Sequence, residues 1–466
     1  MRPVTAAVAR ACVLPLATAS IVLGVASLSF GQDPAPAPPP DTAQEPAAKA
    51  TGLPSALEWT FNFGAGAGSF SFLNSLFTNP RDEPSGDLGD NWFEGYVKPS
   101  ISGTFTLASG AEIFGTASAV GERTYGSAPD LVGNDFSSFA PDDLFIGWRS
   151  GRSLAAFGEN GLEFLVGRTP FTLGHGLLLY DGAGEGGSRG GYWSNARKAF
   201  EFGTIARAKP GPHTAEFFYL DKDELPEAET GSRLWGANYE LRIGESSTFG
   251  ATYMKWFAHA DVDPGRDGLN VFNVRAYTAP IATLPVLSFE FEYAHEANAD
   301  ELTSNAWVLQ GAYELGDLIW APTVSYRYAF FQGDDPGTST NEAFDPLFLG
   351  FYDWGTWWQG EIAGEYFLSN SNLKSHQVRV HAVPGDSIGT GVIFYQFLAD
   401  QPATFGDGVA SEDVAFEMNA YVDWKLNQNF TLSVVGGFAN PGEAVQQATG
   451  RTANLALGMF YIAYSF

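Results

Sequence analysis

The chain has 466 residues, with 53 acidic side chains against 25 Lys and Arg and a formal net charge of −28. That balance excludes nucleic acid as a partner, because a phosphate backbone is held by clustered cations. Aromatic residues reach 15% while charged ones are only 17%, with 54 glycines, which suits many exposed aromatic-rich strands better than several stacked soluble cores.

Residues 1–31 have the layout of a secretory leader. Arg2 and Arg10 supply a basic start, an apolar core runs from Leu16 to Leu28, and Ser29-Phe30-Gly31 offers small residues for cleavage near Gln32. The apolar core is too short to span a bilayer as a helix, which needs about 20 residues. Cys12, the one cysteine, lies in this leader, so disulfides, thiolate metal sites and cysteine nucleophiles are not expected in the mature chain. Residues 32–54 carry seven prolines and few large apolar side chains, and read as a periplasmic linker.

From residue 55 to 466 the texture is uniform: segments of roughly ten residues alternate apolar and polar side chains between Gly, Asp, Asn, Pro and Ser. No stretch is apolar enough for a membrane helix, so a membrane-spanning chain of this kind must pair its backbone between strands and close on itself. The predicted fold is all-β, a transmembrane antiparallel up-and-down barrel of about 18 strands, with 16 or 20 as alternatives. A direct count of alternating segments yields 19, which is odd and inconsistent with both barrel ends facing the periplasm. The short turns at 209–212, 244–246 and 314–317 read as periplasmic, and the long loops at 79–91, 123–142 and 169–195 as external. That phase holds to Phe331 and is reversed by the turns at 384–386 and 427–429, which places the miscounted segment between Phe331 and Leu398.

Three segments show the period of two clearly. Phe289, Phe291 and Tyr293 oppose Glu290 and Glu292; Val324, Tyr326, Tyr328 and Phe330 oppose Ser325 and Arg327. In the third, Val414, Phe416, Met418, Val422 and Trp424 oppose Glu417, Asn419, Asp423 and Lys425. Tryptophans at the segment ends (Trp59, Trp92, Trp148, Trp256, Trp320, Trp357, Trp358) suit interfacial girdles. In the last segment Ala456, Gly458, Phe460, Ile462, Tyr464 and Phe466 share a face, and a terminal aromatic in this register is similar to the signal read by the barrel assembly machinery. With the aromatic faces toward lipid and lipopolysaccharide, the lumen receives Arg242, Lys255, Arg275, Arg327, Arg379 and Lys425. It also receives Glu240, Glu290, Glu292, Glu361, Glu365, Glu417 and Asp423, a mixed set able to tune solute preference through local potential or to neutralise itself across strands.

Other motifs carry less. Gly182-Ala-Gly184-Glu-Gly-Gly187 matches a dinucleotide fingerprint, but the sequence after it predicts an external loop and not the helix whose N-terminus would meet a pyrophosphate. His259, Asp261 and Asp263, or Asp181 with Glu185, match no complete metal loop and read as solvated charges. None of the six histidines stands two residues before a serine, the arrangement associated with barrel phospholipases, so no catalytic residue, metal ligand or cofactor is assigned.

One family resemblance covers about a fifth of the chain. Phe164-Leu-Val-Gly167-Arg168-Thr-Pro, Gly174-His-Gly176, Asp181-Gly182 and Trp193-Ser-Asn195-Ala-Arg197-Lys-Ala-Phe200 resemble the alginate-export family of outer-membrane porins. So do Phe344-Asp-Pro-Leu-Phe348, Trp354, Trp357-Trp358-Gln-Gly-Glu361 and the run from Gly364-Glu365 to Asn372-Leu373. The resemblance implies a single-chain barrel that passes an anionic polysaccharide through an arginine-rich conduit, with Arg168 and Arg197 as conduit residues. The acidic balance and the inward Glu residues suit a neutral sugar or a small organic solute as well. The expectation is a passive outer-membrane channel for a polysaccharide or small polar solute, the alternatives being a nutrient-uptake channel for sugars or organic ions, an adhesin or a barrel hydrolase. The long loops at 169–195 and 331–353 are its expected gates or plugs.

Overall fold

The computed structural model describes residues 57–75, 90–129, 136–180, 182–278, 286–299, 301–350 and 359–466. The expected leader and linker, part of the first long loop, Asp181, Trp354, Trp357 and Trp358 lie outside the described residues.

Alternation of apolar and polar side chains produces one sheet of eighteen antiparallel strands. They are β1 (Leu57–Leu73), β2 (Asp90–Thr106), β3 (Glu112–Gly126), β4 (Phe136–Arg149), β5 (Leu162–Thr169), β6 (Phe200–Ala208), β7 (His213–Asp221), β8 (Arg233–Ile243) and β9 (Ser247–Phe257). The second half holds β10 (Asn270–Thr278), β11 (Leu287–Asn298), β12 (Leu302–Glu314), β13 (Thr323–Phe331), β14 (Leu373–Gly385), β15 (Ile388–Ala399), β16 (Asp413–Lys425), β17 (Phe430–Pro441) and β18 (Leu455–Ser465). Each strand pairs with its sequence neighbours, and β1 pairs with β18 from Gly64 opposite Ser465 to Leu73 opposite Ala456. Closure leaves no sheet edge, which is what hydrocarbon demands of a spanning sheet.

The miscounted segment lies where the turn phase put it. Between β13 and β14 the described residues hold no strand; the stretch that alternates like one forms a π-helical turn, Gly360–Gly364. Consecutive residues Gly360–Gly364 are all buried there, so their side chains do not alternate between two faces as a strand's would.

The outer surface is greasy. Trp59, Phe61, Phe93, Ile101, Phe139, Ile146, Phe272, Trp320, Tyr326, Trp424 and Phe460 are all exposed on it, as a lipid-facing belt requires. Two of the expected girdle residues are not part of it: Trp92 and Trp256 are buried inside the barrel. Val414 is also buried, because a register shift between Phe397 and Leu398 turns the start of β16 over.

Candidate functional site: the lumen and its two folded-in loops

Alternation predicts which strand residues face inward, and most of the expected charged set does. Arg275 and Arg327 are each 2% exposed. The Arg275 guanidinium donates to Glu240 at 2.6 Å, Asn238 at 2.6 Å and Asn273 at 3.0 Å. Arg327 donates to Gln310 at 2.9 Å, and Arg379 donates to the Tyr421 hydroxyl at 2.7 Å. Glu292 accepts from Asn273 and from the Tyr277 hydroxyl, while Glu290 lies 3.4 Å from His175 Nδ1. Arg242 sits on the inward register of β8 at its short-turn end.

Three expectations need correction. Lys255 faces outward: on β9 the buried positions are Gly250, Thr252, Met254 and Trp256, and Lys255 lies on the other face, donating to the Gly268 carbonyl near the long-loop rim. Glu361 and Glu365 do enter the lumen, but on the loop between β13 and β14 and not on a strand. The loop containing the glycine-rich motif is not external. It folds into the barrel and includes a four-residue helix, α1 (Gly186–Arg189), too short to present a phosphate site.

That first loop, residues 170–199, fills much of the barrel with Phe171, Leu173, Leu177, Leu178, Leu179, Tyr192 and Trp193, all buried. The second, residues 332–372, adds Phe344, Leu347, Phe348, Ile362 and Tyr366. A short backbone ladder joins them: the Tyr180 N–H donates to the Phe348 carbonyl at 2.8 Å, the Phe348 N–H to Leu178 at 3.1 Å, and the Gly350 N–H to Gly176 at 3.0 Å. The Trp256 ring meets Phe348 edge-on at 4.7 Å. Over the faces of these same two rings Arg266 forms a bidentate pair with Asp345, both bonds 2.6 Å. Burial alone would raise the Asp345 carboxyl; the Arg266 guanidinium outweighs it and holds the group below its ordinary range.

Wall carboxylates hold the loops in place, a role the sequence reading did not assign. Glu94 on β2 accepts the N–H groups of Trp193 (2.9 Å) and Ser194. Glu122 on β3 accepts the Ala196 N–H at 2.6 Å, and Asp142 on β4 accepts those of Lys198 (3.0 Å) and Ala199 (2.9 Å) while pairing with Lys98 at 2.5 Å. Glu417 on β16 does the same for the second loop, accepting from Ile362 at 2.9 Å and Ala363 at 2.7 Å. Buried backbone N–H groups must find acceptors, and a carboxylate offers two oxygens at once. Glycine allows the approach: a Cβ on Gly191 would stand 2.5 Å from Glu122 Oε1, and one on Gly360 2.5 Å from Glu417 Oε1.

The motif arginines converge on a single acid. Arg168, turned inward by the bulge at Gly167, donates to Asp223 at 2.5 Å; Arg189 donates at 3.2 Å, and Arg197 also donates to it. Arg197 is fully buried, with Nε and Nη1 unpartnered. It belongs to the packing of the first loop and does not line an open conduit. The spacing from Arg168 to Asp223 explains why no local pattern announced this cluster.

No protein-family model and no curated protein sequence matches the chain. Solved structures do resemble it. OccAB4 of Acinetobacter baumannii has a TM-score of 0.52 at 12% identity, over 87% of this chain and 98% of that one. OccK3 (OpdO) of Pseudomonas aeruginosa has a TM-score of 0.54 at 12% identity, over 87% and 95%. The outer membrane protein opdK of the same organism has a TM-score of 0.51 at 10% identity, over 87% and 98%. At such identities the likeness is one of fold: an eighteen-stranded antiparallel barrel of the porin type, here with a greasy exterior.

Proposed function

We propose that the chain is a passive outer-membrane channel for uptake of small polar solutes, sugars or organic ions, with no catalytic step. The observation that carries this reading is the pair of loops drawn into the barrel and bonded to its wall, which narrows the lumen; Arg275, Arg327, Arg379, Glu290, Glu292, Glu361 and Glu365 are the inward side chains we assign to the path that remains. Such a constriction selects by size, hydrogen bonding and local potential. A polysaccharide conduit of the alginate-export kind fits less well. A polymer needs an open tunnel, whereas here two loops are laced together, and the arginines that resemblance pointed to are tied up in a shared pair with Asp223. Planar-bilayer recording with flux into liposomes tests the proposal: small current steps should accompany entry of monosaccharides or amino acids and exclusion of alginate oligomers. A folded barrel that passes neither ions nor small solutes would overturn it.

A further inference from the structure

The second loop carries two carboxylates into the lumen. The Glu361 N–H donates to Asn419 at 3.2 Å, but among the described residues the carboxylates of Glu361, 7% exposed, and Glu365, partly buried, make no hydrogen bond and no ion pair. The groups facing them are acidic or phenolic: Glu417 and Asp423 of β16, Glu94 of β2, Tyr395 of β15, and Tyr192 and Tyr366 of the two loops. Strands β17 and β18 also pack against this turn and carry no charged residue. Arg327 of β13 acts on Tyr395 and on neither carboxylate.

A second observation is independent of the acidic cluster. The Tyr366 hydroxyl, on a residue only 6% exposed, has no hydrogen-bond partner among the described residues and lies within electrostatic reach of Glu365, Glu361 and Glu94. Its ring belongs to an aromatic wall, 5.1 Å from Phe72, 6.1 Å from Trp92 and 6.2 Å from Tyr192. Among the described residues no three acidic or histidine side chains converge as a metal site. Spread carboxylates beside aromatic faces and an idle hydroxyl suit a larger, diffuse cation.

We propose that Glu361 and Glu365, with Tyr366 and the facing Glu94, form a station for the ammonium group of solutes crossing the barrel, an inference that rests on the channel reading above. An ammonium offers three donors, matched in kind to carboxylate and hydroxyl acceptors. Burial, Glu417 and Asp423 push the Glu361 carboxyl up to about 8, and burial with Glu361, Glu94 and Glu417 holds Glu365 well above its ordinary range. An empty station therefore retains protons at neutral pH, and an arriving ammonium displaces them. Occupancy should rise as pH rises toward 8.

The test uses the full barrel in planar bilayers carrying potassium current, with ethanolammonium chloride as the probe and calcium chloride as the comparison. Ethanolammonium should interrupt the current, more strongly at about pH 8 than at about pH 6, and the E361Q/E365Q double variant should weaken the block roughly tenfold. Gln keeps the size of Glu, and heat-modifiable gel migration verifies that the variant barrel is assembled. Equal block in the wild type and the double variant, block indifferent to pH, or stronger occupancy by calcium would each overturn the station. A barrel that carries no current contradicts the channel reading instead. Calorimetric titration of the detergent-solubilised barrel with ethanolammonium then decides the station separately, binding that E361Q/E365Q abolishes supporting it and absent or unchanged binding refuting it.

Discussion

The two loops that enter the lumen are anchored by the same device to different depths. The first is held along residues 192–199 by three wall carboxylates on three adjacent strands, and its arginines share Asp223. The second is held at its turn by Glu417 and elsewhere by the Arg266–Asp345 pair, but at the turn Glu361 and Glu365 face other acidic groups. A charge buried with its partners is part of a scaffold, whereas like charges buried together store a repulsion that a proton, a cation or an outward movement can relieve. The first loop is therefore the more firmly anchored of the two, and the turn of the second is the part expected to yield first.

The largest expected effect breaks the first anchor. Asp223→Asn leaves Arg168, Arg189 and Arg197 around a neutral group, and removal of one partner from such a buried cluster costs about 3–5 kcal/mol. Thermal unfolding should fall, limited proteolysis should cut within residues 182–199, and the reversal potential in a salt gradient should move toward anions. A variant with wild-type stability and selectivity would show that the cluster is not what holds the loop.

Next comes the second anchor. Glu417→Ala removes the acceptor for the Ile362 and Ala363 N–H groups, a loss of about 1–3 kcal/mol for the inserted turn. Conductance should rise while protease resistance of the first loop stays unchanged; a barrel opened no further would place the constriction on the first loop alone. The same contrast can be sharpened by pH. The Glu361 carboxyl is raised from an ordinary value of 4.5 to about 8 when the loop is in. Its contribution to the inserted state is thus complete below about 4.5 and is lost as pH climbs through about 8. Larger and more frequent openings are expected on the alkaline side, and E361Q should flatten that dependence. Steps that widen toward acid would refute the assignment. The smallest effect is expected outside the lumen: Lys255→Ala, on the lipid-side register, should change stability by no more than about 0.5 kcal/mol and leave ion selectivity untouched.

Much of the barrel could be read along the chain. A strand needs only its own alternation to declare its two faces, so Phe289 and Phe291 against Glu290 and Glu292, or Tyr326 against Arg327, point where periodicity put them. Lys255 shows where that reasoning slips, since a cation near a strand end can sit on the greasy face with its head at the rim. Glu94 was within reach of the same reasoning, because Trp92, Glu94 and Tyr96 alternate, but a tryptophan beside it suggested the lipid side. Asp223, Asp142 and Glu122 gave no sign of their roles, for their partners lie in loops 26 to 74 residues away.

The two faces of most strands and a greasy exterior follow from the sequence by itself, because they depend on the period of two, and the phase of the turns brought a count of 19 segments to an expected 18; the closing pair of β1 and β18 joins the two ends of the chain and belongs to the tertiary structure. Only the tertiary structure decided which loops turn inward, which arginines share one acid and which carboxylates face other acids. Those outcomes depend on groups brought together across the barrel, where an orphan N–H or a buried charge takes whichever acceptor the closed wall presents to it.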